Sequence, residues 1–270
     1  MTKIAELTDR AVILIGGSDA RAYLQDLVTN DIDLLADAKP LWAGLLSAQG
    51  KLLFDMILFD AGDVEPGAVL ADVAASGAEA LVKRLTMYRL RRAVTVAIVP
   101  GLKLFAAWDG VVADLPLDPQ LPALGQRWIA DAAPTNTGVH DYARHRRSLG
   151  VADSADLMPD KLMWLEANAV ELNGVSFTKG CYVGQENTAR MYHRDKLRRR
   201  LLPVRFDGDA GDGVIMAGTV VAGELRGHAE GRGIAYLKLD MVEGGAPLTV
   251  GGVPLAVDWP AWLPASPADS

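Results

Sequence analysis

Val175-Ser176-Phe177-Thr178-Lys179-Gly180-Cys181-Tyr182-Val183-Gly184-Gln185-Glu186-Asn187-Thr188-Ala189-Arg190 is the most informative stretch of this chain. A short apolar run ends at Phe177. Gly180 and Gly184 then permit backbone angles or close approaches that other residues resist. From Gln185 onward the pattern is helical, which places Cys181 just before a helix N-terminus, where unpaired amides and the macrodipole favour an anion. Lys179 adds a positive charge two residues away, and both effects predict a raised thiolate fraction at Cys181. The competing reading is a buried, inert cysteine, but a core cysteine has no need of a charged, glycine-rich setting. A self-sufficient thiol enzyme would want a histidine base, and His193, the nearest, lies about three helical turns along.

The rest of the composition narrows the class. At 270 residues the chain suits two or three modest domains. Half of it is apolar and 23% is charged, as in ordinary globular proteins. The single cysteine excludes an internal disulfide. It also excludes an iron–sulfur cluster held by this chain's cysteines alone, since such clusters usually take four thiolates. The histidines (His140, His145, His193 and His228) show no metal-binding spacing, so no resident metal is expected. The net charge of −7 argues against a dedicated nucleic-acid binder. An acidic N-terminus without an export signal, and apolar runs far short of the ~20 residues a membrane span needs, lead to the expectation of a cytoplasmic protein without a membrane partner.

Outward from the cysteine, strands and helices mix. Arg10–Gly16 reads as a buried strand, Ser18-Asp19 as a cap and Ala20–Val28 as a helix. Leu41–Leu46 and Lys51–Phe59 read as a hairpin with Gly50 in its turn. Strands over Ala68–Ala74, Ala93–Val99 and Leu102–Trp108 are expected, with helices over Ala78–Arg89, Val139–Arg147 and Lys161–Leu172. Asp114–Pro122 reads as a proline-rich connector. Beyond Leu201, short β-rich runs separated by glycines fit a small antiparallel barrel or sandwich. The fold class is therefore α+β. Trp42, Trp108, Trp128 and Trp164 are expected in the core or a pocket wall, and His140 and His145 on a helix surface.

The run Lys179-Gly180-Cys181-Tyr182-Val183-Gly184-Gln185-Glu186 resembles the K-G-C-[YF]-x-G-Q-E signature of the folate-binding YgfZ family, related in fold to the aminomethyltransferase (T-protein) of the glycine cleavage system. Leu24-Gln25-x-Leu27-Val28-Thr29-Asn30-Asp31, the Gln49–Asp55 hairpin and Tyr88-x-Leu90-Arg91 are similar to family positions in the same order. Asn173–Phe177 and Pro254–Trp259 resemble the mitochondrial branch, whose members act in late iron–sulfur cluster assembly. The resemblance implies two intertwined α+β subdomains over residues 1–195 and an antiparallel β-barrel over residues 196–270. Trp164-Leu165-Glu166-Ala167 resembles the L-E-A segment whose glutamate binds the pterin of tetrahydrofolate, and a carboxylate can accept two parallel N–H bonds from that ring. Asp55, Asn30, Gln185, Glu186 and Arg190 join Glu166 as candidate folate contacts, and Lys179 joins Cys181 as a reactive-site candidate. The paired Asp-Asp of the aminomethyltransferases reads Phe54-Asp55 here, which puts aminomethyl transfer in doubt.

The expectation is thus a tetrahydrofolate-binding accessory protein for assembly or repair of iron–sulfur clusters, acting through Cys181 on assembly proteins or client enzymes. Two rivals remain. One is a folate-dependent one-carbon transferase. The other is an RNA- or protein-binding module using the basic run Arg190, Arg194, Lys196, Arg198, Arg199 and Arg200, with effects on tRNA modification.

Overall fold

Strand β1 (Lys3–Glu6) opens one sheet, and the chain then leaves it to build another before returning. The computed structural model describes residues 1–194, 197–208, 210–211 and 213–264. The second sheet is five-stranded and antiparallel, in the order β3 (Leu41–Leu46), β4 (Leu52–Asp60), β5 (Val69–Ala74), β2 (Arg10–Gly16), β6 (Thr95–Ile98). The chain then returns to the first sheet, where β7 (Lys103–Trp108) pairs with both β1 and β8 (Gln126–Ala130). This exchange is the intertwining of two α+β units. Helices α1 (Ala20–Gln25) and α2 (Ala78–Tyr88) go with the larger sheet, and α3 (Val139–Ser148) packs with the smaller.

A closed antiparallel barrel follows, in the order β10 (Val214–Ala217), β11 (Val220–Ala229), β12 (Arg232–Lys238), β9 (Arg199–Phe206), β14 (Val253–Val257), β13 (Leu248–Val250). Closure removes free strand edges, and the interior is filled by Leu202, Val204, Ile215, Leu225, Leu237 and Val250. The expected boundary at 195/196 lies outside the described residues, as do Lys196 of the basic run and residues 265–270.

A buried ionic joint ties the two sheets. Asp72 of β5, fully buried, accepts from Arg10 Nε of β2 at 2.6 Å and from Arg127 Nε of β8 at 2.6 Å. Asp153, bridged by Arg10 and Arg146, has its pKa lowered although burial alone would raise it, because the surrounding guanidinium groups outweigh desolvation.

Three sequence expectations change. Lys161–Leu172 is not a helix. Only Trp164–Ala167 forms a short 3-10 turn, Asn168 closes it with φ 61°, and residues 164–169 are all buried, so the apolar spacing that suggests a helix marks a segment enclosed on every side. Helix α1 stops at Gln25 rather than Val28, because the chain turns at Asp26-Leu27 and Val28 pairs with Leu45 in an antiparallel bridge. Asp19 does not cap α1. Its carboxylate accepts from the Ala93 amide at 2.8 Å instead. Strands β1 and β8 fall outside every element expected from sequence, as edge segments too short to show alternation.

Candidate functional site

The segment Val28-Thr29-Asn30 is the mount on which the cysteine loop is built. Thr29, fully buried, donates from Oγ1 to Gly174 O at 2.7 Å and accepts from the Gly44 amide at 2.9 Å. The Ser176 amide donates to Thr29 O at 3.0 Å. Asn30 donates from Nδ2 to Trp42 O and Asn173 O, both at 2.8 Å, while its Oδ1 accepts from the Asp31 amide. Asn30 therefore spends its amide inside the fold, which removes it as a free folate contact. Thr29 is a site residue that sequence reasoning missed. In the sequence it follows Leu27-Val28 and opens the polar run Thr29-Asn30-Asp31, where nothing local marks it as buried.

Lys179 differs most from its expected role. It is 7% exposed, and its ammonium donates to Val28 O at 2.7 Å and Asn30 O at 2.8 Å, with the Tyr182 ring beneath it at 5.2 Å. Burial pushes its pKa down to about 8, opposed by Asp31, Asp26 and Asp33. It is a buried staple, not a surface charge set beside the thiol. The reason is geometric: the carbonyls of Val28 and Asn30, past the end of α1, take donors from elsewhere in the fold, and a long cationic side chain reaches both.

The far end of the loop is pinned against the β3–β4 hairpin. Gly184 has φ +85°, and a Cβ there would lie 2.5 Å from Ser47 O. Asn187 donates to Gln49 O at 2.9 Å, and an added Cβ on Gly50 (φ +78°) would lie 3.3 Å from Gly184 O. Gly180 is different, since a Cβ there would meet nothing within 4 Å. Between these anchors Cys181 is exposed and has no hydrogen bond among the described residues. Helix α4 (Gln185–Arg194) starts four residues later, so Cys181 is not the residue that caps it. Gln185 is half-buried in the first turn of α4, and Glu186 and Arg190 are exposed along it. His193 packs edge-on against Phe177 at 6.1 Å between ring centroids.

The remaining candidates lie elsewhere. Asp55 lines a cleft of about 300 Å³ with Leu53, Phe54, Arg84, Ser154 and Asp160, and receives a long 3.4 Å bond from Trp42 Nε1. Glu166 is 8% exposed and does not line that cleft. Its Oε2 accepts from the Met163 amide at 2.9 Å and from Tyr236 Oη, on the barrel, at 2.8 Å. Burial raises its pKa, against the lowering effect of those two bonds and of Arg199. Tyr236, another residue sequence reasoning missed, lines a second cleft of about 300 Å³ with Lys161, Arg199 and Lys238. The basic run is partly structural. Arg200 pairs with Glu171 at 2.7 Å and Asn168 at 2.8 Å, and Arg199 lies over the Tyr236 ring. All four expected tryptophans are buried. His145 is half-buried, stacked on Trp108.

The fold and this loop define a class before they define a relative: an aminomethyltransferase-type α+β body, a C-terminal barrel and a single presented thiol. The crystal structure of glycine cleavage system aminomethyltransferase T from Bartonella henselae is similar over 97% of this chain and 86% of that one, with a TM-score of 0.71 and 13% identity, a likeness of fold. Residues 198–265 match the family described as CAF17, C-terminal beta-barrel domain. "Iron-sulfur cluster assembly factor IBA57, mitochondrial" of Homo sapiens is 33% identical over 96% of this chain and 84% of its own length, and that of Mus musculus is 32% identical over 88% and 78%. The chain belongs to the IBA57 family. These relatives are mitochondrial by name, which overturns the cytoplasmic expectation. Composition and the lack of apolar runs do not separate one aqueous compartment from another. Among the described residues no helix is long and apolar enough to cross a membrane, and no group of three or more His, Cys, Asp and Glu could hold a metal ion.

Proposed function

We propose that this chain acts in iron–sulfur cluster assembly by offering the Cys181 thiolate to iron in a cluster that a partner protein also holds. The observation that carries the proposal is the contrast within one loop: Lys179 and Asn187 on either side of Cys181 are bonded inside the fold, and the thiol itself is exposed with no hydrogen bond among the described residues. Binding releases the thiol proton to solvent and forms one Fe–S bond. The other ligands come from the partner, since one cysteine cannot hold a cluster alone. Lys179 and Gly184 fix the loop, so little ordering entropy is lost when the partner arrives.

Tetrahydrofolate is proposed as a cofactor on narrower grounds than the sequence suggested. The candidate contacts do not converge on one cleft, but the cleft at Asp55 fits a pterin in volume and donor set, with a carboxylate, the Ser154 hydroxyl and Arg84 on its walls. Asp55 would accept the pterin N–H groups. Glu166 lies outside that cleft, with one oxygen taken by Met163 and Tyr236, and is not assigned to the pterin there. The bound group would supply a reduced pterin that can carry a one-carbon unit. Asp55→Asn should weaken tetrahydrofolate binding in calorimetry by about 1.5–3 kcal/mol. No binding heat with the wild-type protein would remove folate from the account.

The function itself is tested in cells lacking this protein by measuring [4Fe–4S] enzyme activity after supplying wild-type protein or Cys181→Ala. Restoration by the first alone, at equal protein levels, is the expected result. Restoration by both would refute the role of the thiol.

A further inference from the structure

Helix α2 runs out into eight consecutive exposed residues, Thr86–Ala93, which include large apolar side chains: Met87 is 64% exposed, Tyr88 45% and Leu90 86%. Leu90 also has φ 50°. The other non-glycine residues with positive φ among the described residues are Asp, Asn or Glu, so Leu90 is the one apolar side chain held there. Left-handed backbone costs an L-residue about 1–2 kcal/mol, and exposing leucine to water adds a second penalty. The backbone turn at Leu90 is closed by the Arg92 amide donating to Arg89 O at 2.9 Å, but the Leu90 side chain itself is left to solvent. The arginines hold the segment in place: Arg89 donates to Val94 O at 2.9 Å, and Arg92 pairs with Asp26 and lies over Tyr23.

The charge of this segment is opposite to that of the whole. Lys83, Arg84, Arg89, Arg91 and Arg92 fall within ten residues that contain no carboxylate, in a chain of net charge −7. Leu90, Arg91 and Arg92 line, with Asp19, an open hollow of about 660 Å³. The patch also adjoins the cysteine loop. Val183, two residues beyond Cys181, shares a narrow cleft with Arg84, Leu85 and Tyr88.

We propose that the α2 end, with Leu90 at its tip and a basic rim, is the docking surface for an acidic protein that delivers or receives the cluster at Cys181. This rests on the proposed function of that cysteine. Arginine, methionine and tyrosine, here Arg91, Arg92, Met87 and Tyr88 around Leu90, are enriched in protein interfaces, and the basic rim selects a partner of opposite charge. Leucine and methionine offer a nucleic acid neither stacking nor hydrogen bonds, which favours a protein occupant.

The test uses cells lacking the chain, supplied with wild-type protein, Leu90→Ser, Arg91→Glu or Cys181→Ala, and reads [4Fe–4S] enzyme activity beside protein level and melting temperature. Leu90→Ser and Arg91→Glu should each cut restoration by about tenfold, the loss of one strong interface contact, with melting temperature unchanged or raised. Full restoration by both, with Cys181→Ala inactive, would overturn the docking surface and leave the role of the thiol standing. Failure of the wild-type protein to restore activity would overturn both. A lower melting temperature for Leu90→Ser would assign Leu90 to the fold and also overturn the proposal. A photoreactive residue at 90, with exposed Val111 as the control position, should yield a protein adduct suppressed by salt. A nucleic-acid adduct at 90 would contradict the assignment.

Discussion

The Cys181 loop and the Glu166 turn are near neighbours in sequence, yet they treat their key side chains in opposite ways. At Glu166 the fold consumes the carboxylate: it is buried, closes its own 3-10 turn through Met163 and reaches across to Tyr236 of the barrel. At Cys181 the fold engages the flanking residues and leaves the key side chain exposed. Lys179, Thr29, Asn30 and Gly184 are all committed, and the thiol projects unbonded. Under the proposed function, the difference separates a group that acts on a partner from a group that holds a shape, although both lie in recognisable motifs.

Substitutions that exchange these behaviours would break the comparison. The largest effect is expected at Gly184→Ala, where a Cβ would meet Ser47 O at 2.5 Å on backbone of φ +85°. The loss should be about 2–3 kcal/mol in denaturant unfolding. Lys179→Met comes next, at about 1–3 kcal/mol, because two buried carbonyls lose their donor. It carries a pH signature as well. The native state holds the Lys179 proton with a pKa of about 8, against an ordinary lysine value of 10.5, so the unfolded state binds more protons between those values. Wild-type stability should therefore gain a rising contribution from about pH 8 to 10.5 that Lys179→Met lacks. Glu166→Gln should cost about 1 kcal/mol by weakening the acceptor for Tyr236 and Met163. A larger loss in folate affinity than in stability would move Glu166 toward the ligand side of the comparison. The smallest effect belongs to Gly180→Ala, within about 0.5 kcal/mol, since the new methyl group meets nothing within 4 Å among the described residues.

Much of the architecture was legible from the sequence. The hairpin around Gly50 and helix α2 follow from local periodicity and turn chemistry, with limits within a residue or two of expectation, and so do three of the glycine-spaced barrel strands; β11 runs seven residues further than its sequence run and β10 was not expected. The motif around Cys181 was legible too, and the structure places it where Leu24–Asp31 and Gln49–Asp55 meet. The direction of Lys179 was not legible. Nothing local distinguishes a lysine beside a thiol from one turned inward, because its acceptors lie about 150 residues away, at Val28 and Asn30. Glu166 failed as a helix residue for a related reason: a segment buried on all sides loses the one-faced pattern by which helices are read. Tyr236, which completes the Glu166 environment, lies 70 residues further on, in the barrel.

The central claim is that Cys181 is a native-state thiol whose function is independent of fold support. The most direct measurement is alkylation of the folded protein with iodoacetamide, followed by melting temperature and restoration of [4Fe–4S] enzyme activity in extract from cells lacking the protein. The account predicts a single adduct per chain in the native state, an unchanged melting temperature and lost restoration. An adduct that forms only on unfolding, or a fully alkylated protein that still restores activity, would contradict it.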